Sequence, residues 1–531
     1  MMLRVAAPSL LGASAILLAG CMVGPDYERP DVDVNDAWTA AMEDRATAAE
    51  TDERWWESFG DPTLTALIDQ AYAQNLTLRS AGLRVLEARA ARGIAVGRFF
   101  PQLQEAFGSV NANQRSDNEA GSLGDSSFND ADIGIQAAWE LDFWGKFRRG
   151  IEAADAEVQL TVADYDAVLV SLAAEVATSY VLIRSLEERL IFARANADLQ
   201  RETLSLTETR FRAGAVSELD VSTARATLAN TLSRIPDLEN SLRQTKLTLC
   251  VLLAKSPSEL DEELAPGANT ERRVPDPPAR LAIGVPADLL RRRPDVRAAE
   301  RVAAAQSARI GQATADLFPS ISITGATGFA TSDFDSGNDS DLGDIFDSDS
   351  FAGFIGLSVN WPILNYGRIE GNIRVQDARF EQAIAQFQES VIRAAADVES
   401  GLSDFLRSKE RTGFLSDAVN ASQRSVELSL IQYRAGAVDF IRVNDAQTAL
   451  VEEQDTLVTS RAAIALGAVR TFRALGGGWE IREGVEFIDA DTARRMRDRT
   501  DWGDVLAPDW TEGSDLGFSR PAPLPDEGGT P

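Results

Sequence analysis

The stretch Arg210-Phe211-Arg212-Ala213-Gly214-Ala215-Val216 returns in close copy as Gln432-Tyr433-Arg434-Ala435-Gly436-Ala437-Val438, 222 residues later. Each copy interrupts two long apolar stripes. Val162, Tyr165, Leu169, Leu172, Val176, Ser179, Ile183, Leu186 and Leu190 precede the first; Val221, Ala224, Leu228, Thr231, Ile235, Leu238, Leu242 and Leu249 follow it. A three-four spacing is the signature of an amphipathic helix, and sustained heptads imply coiled-coil packing. About sixty residues of helix reach about 90 Å, well beyond an ordinary globular helix. A Gly just past a helix end, with Arg in the last turn, is a stop signal. Each copy therefore predicts the tip of a helical hairpin.

The same offset carries the stripe onto Ile384, Phe387, Val391, Ala394, Val398, Gly401 and Phe405, and Trp139 onto Trp361. Phe100-Pro101 matches Phe318-Pro319 at a slightly shorter offset, which places an insertion or deletion in the region between. Pro236 predicts a kink in the helix after the first tip.

Each pair of long helices is preceded by two strand candidates, residues 101–113 and 133–143, then 319–331 and 351–363. Ile133, Ile135, Ala137, Trp139, Leu141 and Phe143 alternate with Gly134, Gln136, Glu140 and Asp142. Ile321 and Ile323 oppose Ser320, Ser322 and Thr324; Phe351, Ile355, Leu357, Val359 and Trp361 alternate with Gly356, Ser358 and Asn360. Apolar residues on one face and polar on the other fit a transmembrane strand lining an aqueous pore. A half-buried soluble strand shows the same period. A Gly-, Ser-, Asp- and Asn-rich loop, about 115–130, joins the first two strands, and the acidic, polar loop 332–350 belongs in solvent. Four strands cannot close a barrel, and their edges would leave backbone groups unsatisfied in lipid. Two hairpins likewise enclose nothing. An oligomer is required, although this argument does not fix its number.

The remaining chain divides around these repeats. Residues 1–20 predict a signal peptide whose apolar core is too short to span a membrane, and Leu18-Ala19-Gly20-Cys21 looks like a lipobox with Cys21 as the lipidated residue. With Met22 and not Asp following, outer-membrane sorting is expected. Residues 21–63 form an extended leader, 64–254 a first repeat opening with a helix over about 64–98, and 255–284 a linker. A second repeat spans 285–478, and 479–531 reads as an acidic Pro- and Gly-rich tail. A net charge of −30 argues against nucleic-acid binding. The absence of histidine removes the commonest general base and transition-metal ligand. No nucleophile–base pair, metal cluster or phosphate loop is apparent, so no catalysis, metal or cofactor is expected. Cys250, among leucines, reads as a buried thiol, and Arg291, Arg292 and Arg293 as the start of a helix pairing with acids such as Glu300.

Taken together, Cys21, VGPDYERP at 23–30, WWESFGDPTL at 55–64, VPADLLRRRPDVRAAE at 285–300, LFPSISITGATGF at 317–329 and the paired turns resemble the TolC-like outer-membrane efflux lipoproteins of resistance-nodulation-division pumps, in their NodT branch. The resemblance covers nearly the whole mature chain to about 478. It implies a mainly α protein with a membrane β-barrel: a homotrimer with a twelve-stranded barrel and a long periplasmic tunnel, passively conducting small molecules. It implies a periplasmic membrane-fusion adaptor docking on Arg212, Ala213, Gly214, Ala215, Arg434, Ala435, Gly436 and Ala437, and an inner-membrane transporter supplying energy. The positions matching the family's tip gate are Asp220, Arg442 and Asp445. Arg442 departs from the acid found there in some relatives and suggests a salt-bridge latch to Asp220 or Asp445. A type I secretion or heavy-metal efflux conduit is the alternative within the class; a non-pore coiled-coil lipoprotein is the alternative outside it.

Overall fold

The computed structural model describes residues 22–32, 38, 46–47, 53–116, 127–257, 260–265, 273–282, 292–334, 342–507 and 510. In chain order these form helices α1 (Pro62–Gln74) and α2 (Leu76–Gly97), strands β1 (Leu103–Gln114) and β2 (Ser127–Leu141), and helices α3 (Lys146–Arg212) and α4 (Glu218–Leu252). Then come α5 (Pro294–Ala315), β3 (Ser320–Ser332), β4 (Phe351–Asn360), α6 (Arg368–Arg434), α7 (Phe440–Ala474) and the short α8 (Ala490–Arg497). The twofold repeat is kept to the residue. Both α3 and α6 have 67 residues and both α4 and α7 have 35, at the offset of 222. Helices α2 and α5 have 22 each, displaced by 218. The four-residue difference falls in the strand–loop–strand region, where the sequence put it.

The expected single helix over 64–98 is instead two. Asn75 adopts an extended conformation and caps α2 by accepting from the Leu78 N–H at 2.9 Å. Its Nδ2 donates to the Leu252 carbonyl, 2.8 Å away at the end of α4. The second repeat makes the same join with different chemistry: Arg293, at the matching position and in the same conformation, donates to the Ala474 carbonyl at 2.6 Å. In both joins the N-terminus of an upper helix sits on the C-terminus of a lower one, so orphan backbone groups and opposed dipole ends satisfy each other. Each chain thus supplies four rods: α3 and α6 unbroken, α4–α2 and α7–α5 spliced. Helix α4 continues through Pro236 as one element.

The four strands form one antiparallel sheet in the order β1–β2–β3–β4, leaving β1 and β4 as edges. Strand β2 ends at Leu141, so Phe143 lies past it. The register, for example Val110 opposite Ala131, Ile133 opposite Phe329 and Ile323 opposite Leu357, aligns every apolar set on one face.

The largest core lies where the rods are spliced. Trp55 and Trp56 are fully buried there, with Trp55 stacked on Phe472 at 5.2 Å. Cys250 is buried in the same core. Residues 479–507, read from the sequence as part of an acidic Pro- and Gly-rich tail, pack against this belt. Asp166 of α3, fully buried, accepts from Arg297 of α5 and from Arg482, and both guanidiniums lie near Trp479, 4.6 and 5.7 Å from the centre of its ring. Burial alone would lower the Arg482 pKa, but its bonds to Asp166 hold it above the usual value. Leu86 of α2 packs with Ile488, Met496 and Leu506. This tail lacks a long period yet carries enough apolar and aromatic side chains to fold onto a partner surface. Arg292 pairs with Glu480, Arg293 with Asp295, and Glu300 with Arg29 and Arg301; Arg291 lies outside the described residues.

Candidate functional site

Three features of the chain bear on its function: the hairpin tips, the seam joining the two hairpins, and the sheet with its leader.

At the first tip Gly214 has φ +73°, its N–H donates to the Phe211 carbonyl, and the Ala215 N–H donates to the Arg210 carbonyl. This is a Schellman stop, repeated at Gly436 (φ +74°) with Tyr433 and Gln432. A Cβ on Gly214 would meet nothing within 4 Å. Glycine is therefore needed for its backbone conformation, not for space. Arg212, Ala213, Gly214 and Ala215, and Arg434, Ala435, Gly436 and Ala437, are all exposed.

Asp220 closes a capping box with Ser217, accepting from the Ser217 backbone N–H at 2.9 Å and so fixing the start of α4. At the corresponding turn of the second repeat Asp439 is the N-cap and Arg442 replaces the acid. Arg442 and Asp445 are exposed, and among the described residues of one chain no ion pair joins Arg442 to Asp220 or Asp445.

A polar seam between the hairpins escaped the sequence reading. Asn196 donates to Gln454 at 2.7 Å, Gln447 to Thr203 at 2.8 Å, and Thr227 to Asn444 at 2.6 Å. Arg189 forks onto Asp455 at 2.7 and 3.1 Å, and Arg461 reaches Glu188 at 3.1 Å. Nearest the tip, Arg210 donates to the Tyr433 carbonyl and lies 4.5 Å from the centre of its ring. The available signal was a second heptad on α3, Arg189, Asn196, Thr203 and Arg210, at positions where coiled coils use polar side chains to fix register. The tip residues that differ between repeats, Arg210 against Gln432 and Phe211 against Tyr433, include the pair that crosses the seam.

One face of the sheet is apolar and open, with Val110, Ile355 and Leu357 each more than two-thirds exposed. The opposite face is polar: Asn111 donates to Asp130 at 2.9 Å, Ser109 to Asp132, and Gln136 to Glu105. An exposed apolar band backed by a hydrated face suits a barrel wall between lipid and water. Trp139 and Trp361 occupy matching strand ends and donate to the carbonyls of Phe99 and Leu317 at 3.1 and 3.0 Å.

The leader is pinned where the sheet meets the helices. The Val23 N–H donates to the Trp144 carbonyl at 3.1 Å. Arg149, almost fully buried, donates to Asp26 and Glu152 at 2.7 Å each and to the carbonyls of Val23 and Gly24 at 3.3 Å. Cys21 lies outside the described residues. Among the described residues no group of three or more His, Cys, Asp or Glu is placed to hold a metal.

Comparison with known proteins agrees with this geometry. The family described as "Outer membrane efflux protein" matches residues 67–255 and 285–477, one segment per repeat. Nodulation protein T of Rhizobium leguminosarum bv. trifolii is 30% identical over 449 residues, 83% of this chain and 91% of that protein. Pyoverdine export outer membrane protein OpmQ of Pseudomonas putida is 30% identical over 83% of this chain and 92% of its own length. Among solved structures, the outer-membrane channel OprN superposes with a TM-score of 0.80 at 33% identity, covering 87% of this chain and all of that one. A structure of CusC superposes at 0.75, with 25% identity over 86% of this chain. The chain belongs to the outer membrane efflux protein family.

Proposed function

We propose that three copies of this chain form a passive conduit: a twelve-stranded barrel in the outer membrane continued by a periplasmic tunnel of twelve helical rods. The observation that carries this reading is the four-stranded sheet, apolar on one face, polar on the other and open at both edges, joined directly to helices about 100 Å long. Sheet edges in lipid must be paired, and three sheets supply one closed wall. The tip turns of Gly214 and Gly436 receive a periplasmic membrane-fusion adaptor, and an inner-membrane transporter drives export; this wall performs no catalysis. Relatives bear names spanning nodulation, pyoverdine export, cation efflux and solvent efflux. That range of names on one kind of wall supports leaving cargo choice to the inner-membrane partner.

Asp445, repeated around a narrow axis, favours cations, while Arg442 and Asp220 latch neighbouring subunits at the tip. Met22 sits at the sheet–helix junction, so a lipid on Cys21 enters the membrane beside the barrel. The test is single-channel conductance in planar bilayers for wild type, Asp445→Ala and Arg442→Ala. A small cation-selective conductance that rises or loses selectivity on substitution supports a pore gated at the tip. Well-folded trimers without conductance in all three proteins refute it.

A further inference from the structure

The two strand-bearing segments of the chain contain a single cation. Between Phe99 and Gly145, and between Ile310 and Gly367, Arg115 is the only Lys or Arg, whereas acids recur throughout both. Within the strands, Glu105 on β1 and Asp130, Asp132 and Glu140 on β2 all fall on the polar face, by alternation and register. Arg115 follows Gln114, the last residue of β1. We infer that Arg115, held by Phe128 and Phe334 in each of three copies, places a ring of fixed positive charges at the outer mouth of the conduit. There they reverse the acidic potential of the lumen and favour anions. The inference rests on the trimeric barrel proposed above.

The helices join the sheet at Leu103, Leu141, Ser320 and Asn360. The ends at Gln114, Ser127 and Ser332 therefore point away from the helices and open outwards. There the Arg115 guanidinium lies 5.0 Å from the centre of the Phe128 ring and 4.8 Å from that of Phe334, and the two rings meet edge to face at 5.1 Å. Phe128 shares the face of Asp130 and Asp132, so the cluster faces the lumen. The acids towards this end have uncharged partners. Asn111 donates to Asp130 at 2.9 Å and Asn113 donates to it as well, while Asn129 donates through its backbone and its side chain to Asp333. Aromatic faces hold a guanidinium without neutralising it. Arg115 therefore keeps its full charge in a defined place.

The reach of that charge decides whether it matters. Twelve strands about 4.8 Å apart and tilted about 40° make a ring of radius about 12 Å. Side chains alone fill a ring of eight strands, so long side chains take up about half of the twelve-stranded radius. Each guanidinium then stands about 6 Å from the axis, inside the Debye length of about 8 Å at 0.15 M salt and outside the length of about 3 Å at 1 M. At physiological salt its field therefore reaches the axis of the mouth. Deeper in, Asp132 and Glu105 accept only from the neutral donors Ser109 and Gln136, and the lumen stays negative.

The test reads the local potential from the rates at which charged reagents meet a reporter thiol, in purified detergent-solubilised trimers of a Cys250→Ala background. The reporter is Asn113→Cys, two residues or about 7 Å from Arg115 along the strand. Anionic sulfonatoethyl and cationic trimethylammonioethyl methanethiosulfonate each convert it to a mixed disulfide, and the ratio of their rates cancels any change in thiol acidity. Three unit charges at these distances change that anion-to-cation ratio about fourfold at 0.15 M salt and about 1.2-fold at 1 M. We expect Arg115→Gln to lower the ratio by that factor at the lower salt only, and Arg115→Lys to keep it. Phe128→Leu with Phe334→Leu, which retains the charge but frees it, is expected to lower the ratio at least about twofold; an unchanged ratio there overturns the positioning role of the rings. Two further reporters separate the possible failures. In a barrel wall Gln136→Cys on the polar face reacts, whereas Leu357→Cys on the apolar face is covered by detergent and does not. With that pattern present, a ratio unchanged by Arg115→Gln overturns the inference and leaves the barrel standing. Equal reaction at both reporters overturns the barrel and the inference with it.

Discussion

Replacing Asp166 by Asn tests how the C-terminal segment is held on the belt of the molecule. Asp166 is fully buried on α3, and both its oxygens accept from guanidiniums, Arg297 of α5 and Arg482 beyond α7. The amide removes the negative charge, keeps the shape, and leaves two cations side by side at the same buried position. Breaking a buried ion pair in this one-sided way costs about 3–5 kcal/mol. The side chains of Arg297 and Arg482 are 29% and 18% exposed, so water relieves part of this and the lower end, about 3 kcal/mol, applies. That raises the open population of the segment roughly a hundredfold. Tryptic cleavage after Arg494, Arg495 and Arg497 in α8 reads this population when opening is fast relative to cutting. We expect cleavage of Asp166→Asn trimers to accelerate by about that factor, while the long helices stay intact. A variant replacing Asp166, Arg297 and Arg482 together by Leu, Met and Met should recover most of the protection, since apolar groups of similar volume commonly equal a buried ion cluster. A change below about threefold for Asp166→Asn would refute the reasoning, because the buried charge would then contribute nothing to holding the segment.

Two further substitutions address the leader and the tips. Gly24 has φ +90° and a Cβ there would lie 2.3 Å from the Gly311 Cα; Gly24→Ala is expected to release the leader, seen as new chymotryptic cleavage after Tyr27, while acylation of Cys21 is unchanged. Gly214→Ala combined with Gly436→Ala costs about 1–2 kcal/mol at each left-handed position without any clash; adaptor capture should weaken several-fold with little change in thermal unfolding, and Asn at both positions should restore it, because Asn tolerates this conformation.

The sequence was most readable where the information is local and periodic. Heptads marked α3, α4, α6 and α7, Gly214 and Gly436 marked their ends, and strict alternation assigned the faces of β2, β3 and β4. The repeat carried the heptad stripe of the first half onto the second and located the change of offset. The break at Asn75 was missed because its capping chemistry is ambiguous without the carbonyl of Leu252, 177 positions away, that takes its amide. The seam was missed because Asn196, Thr203, Gln447 and Gln454 look like ordinary polar heptad positions until they face one another.

Periodicity, turn chemistry and internal repetition thus determined by themselves which segments are helix or strand, and that one chain cannot close its own wall. The tertiary structure decided what meets what: the splices at Asn75 and Arg293, the clamp of Arg149 on the leader, and the capture of residues 479–507 by Asp166. The reason is physical. A period reports the repeat geometry of one backbone segment, whereas hydrogen bonds and ion pairs need partners of a few ångströms' separation, supplied here by residues more than a hundred positions distant.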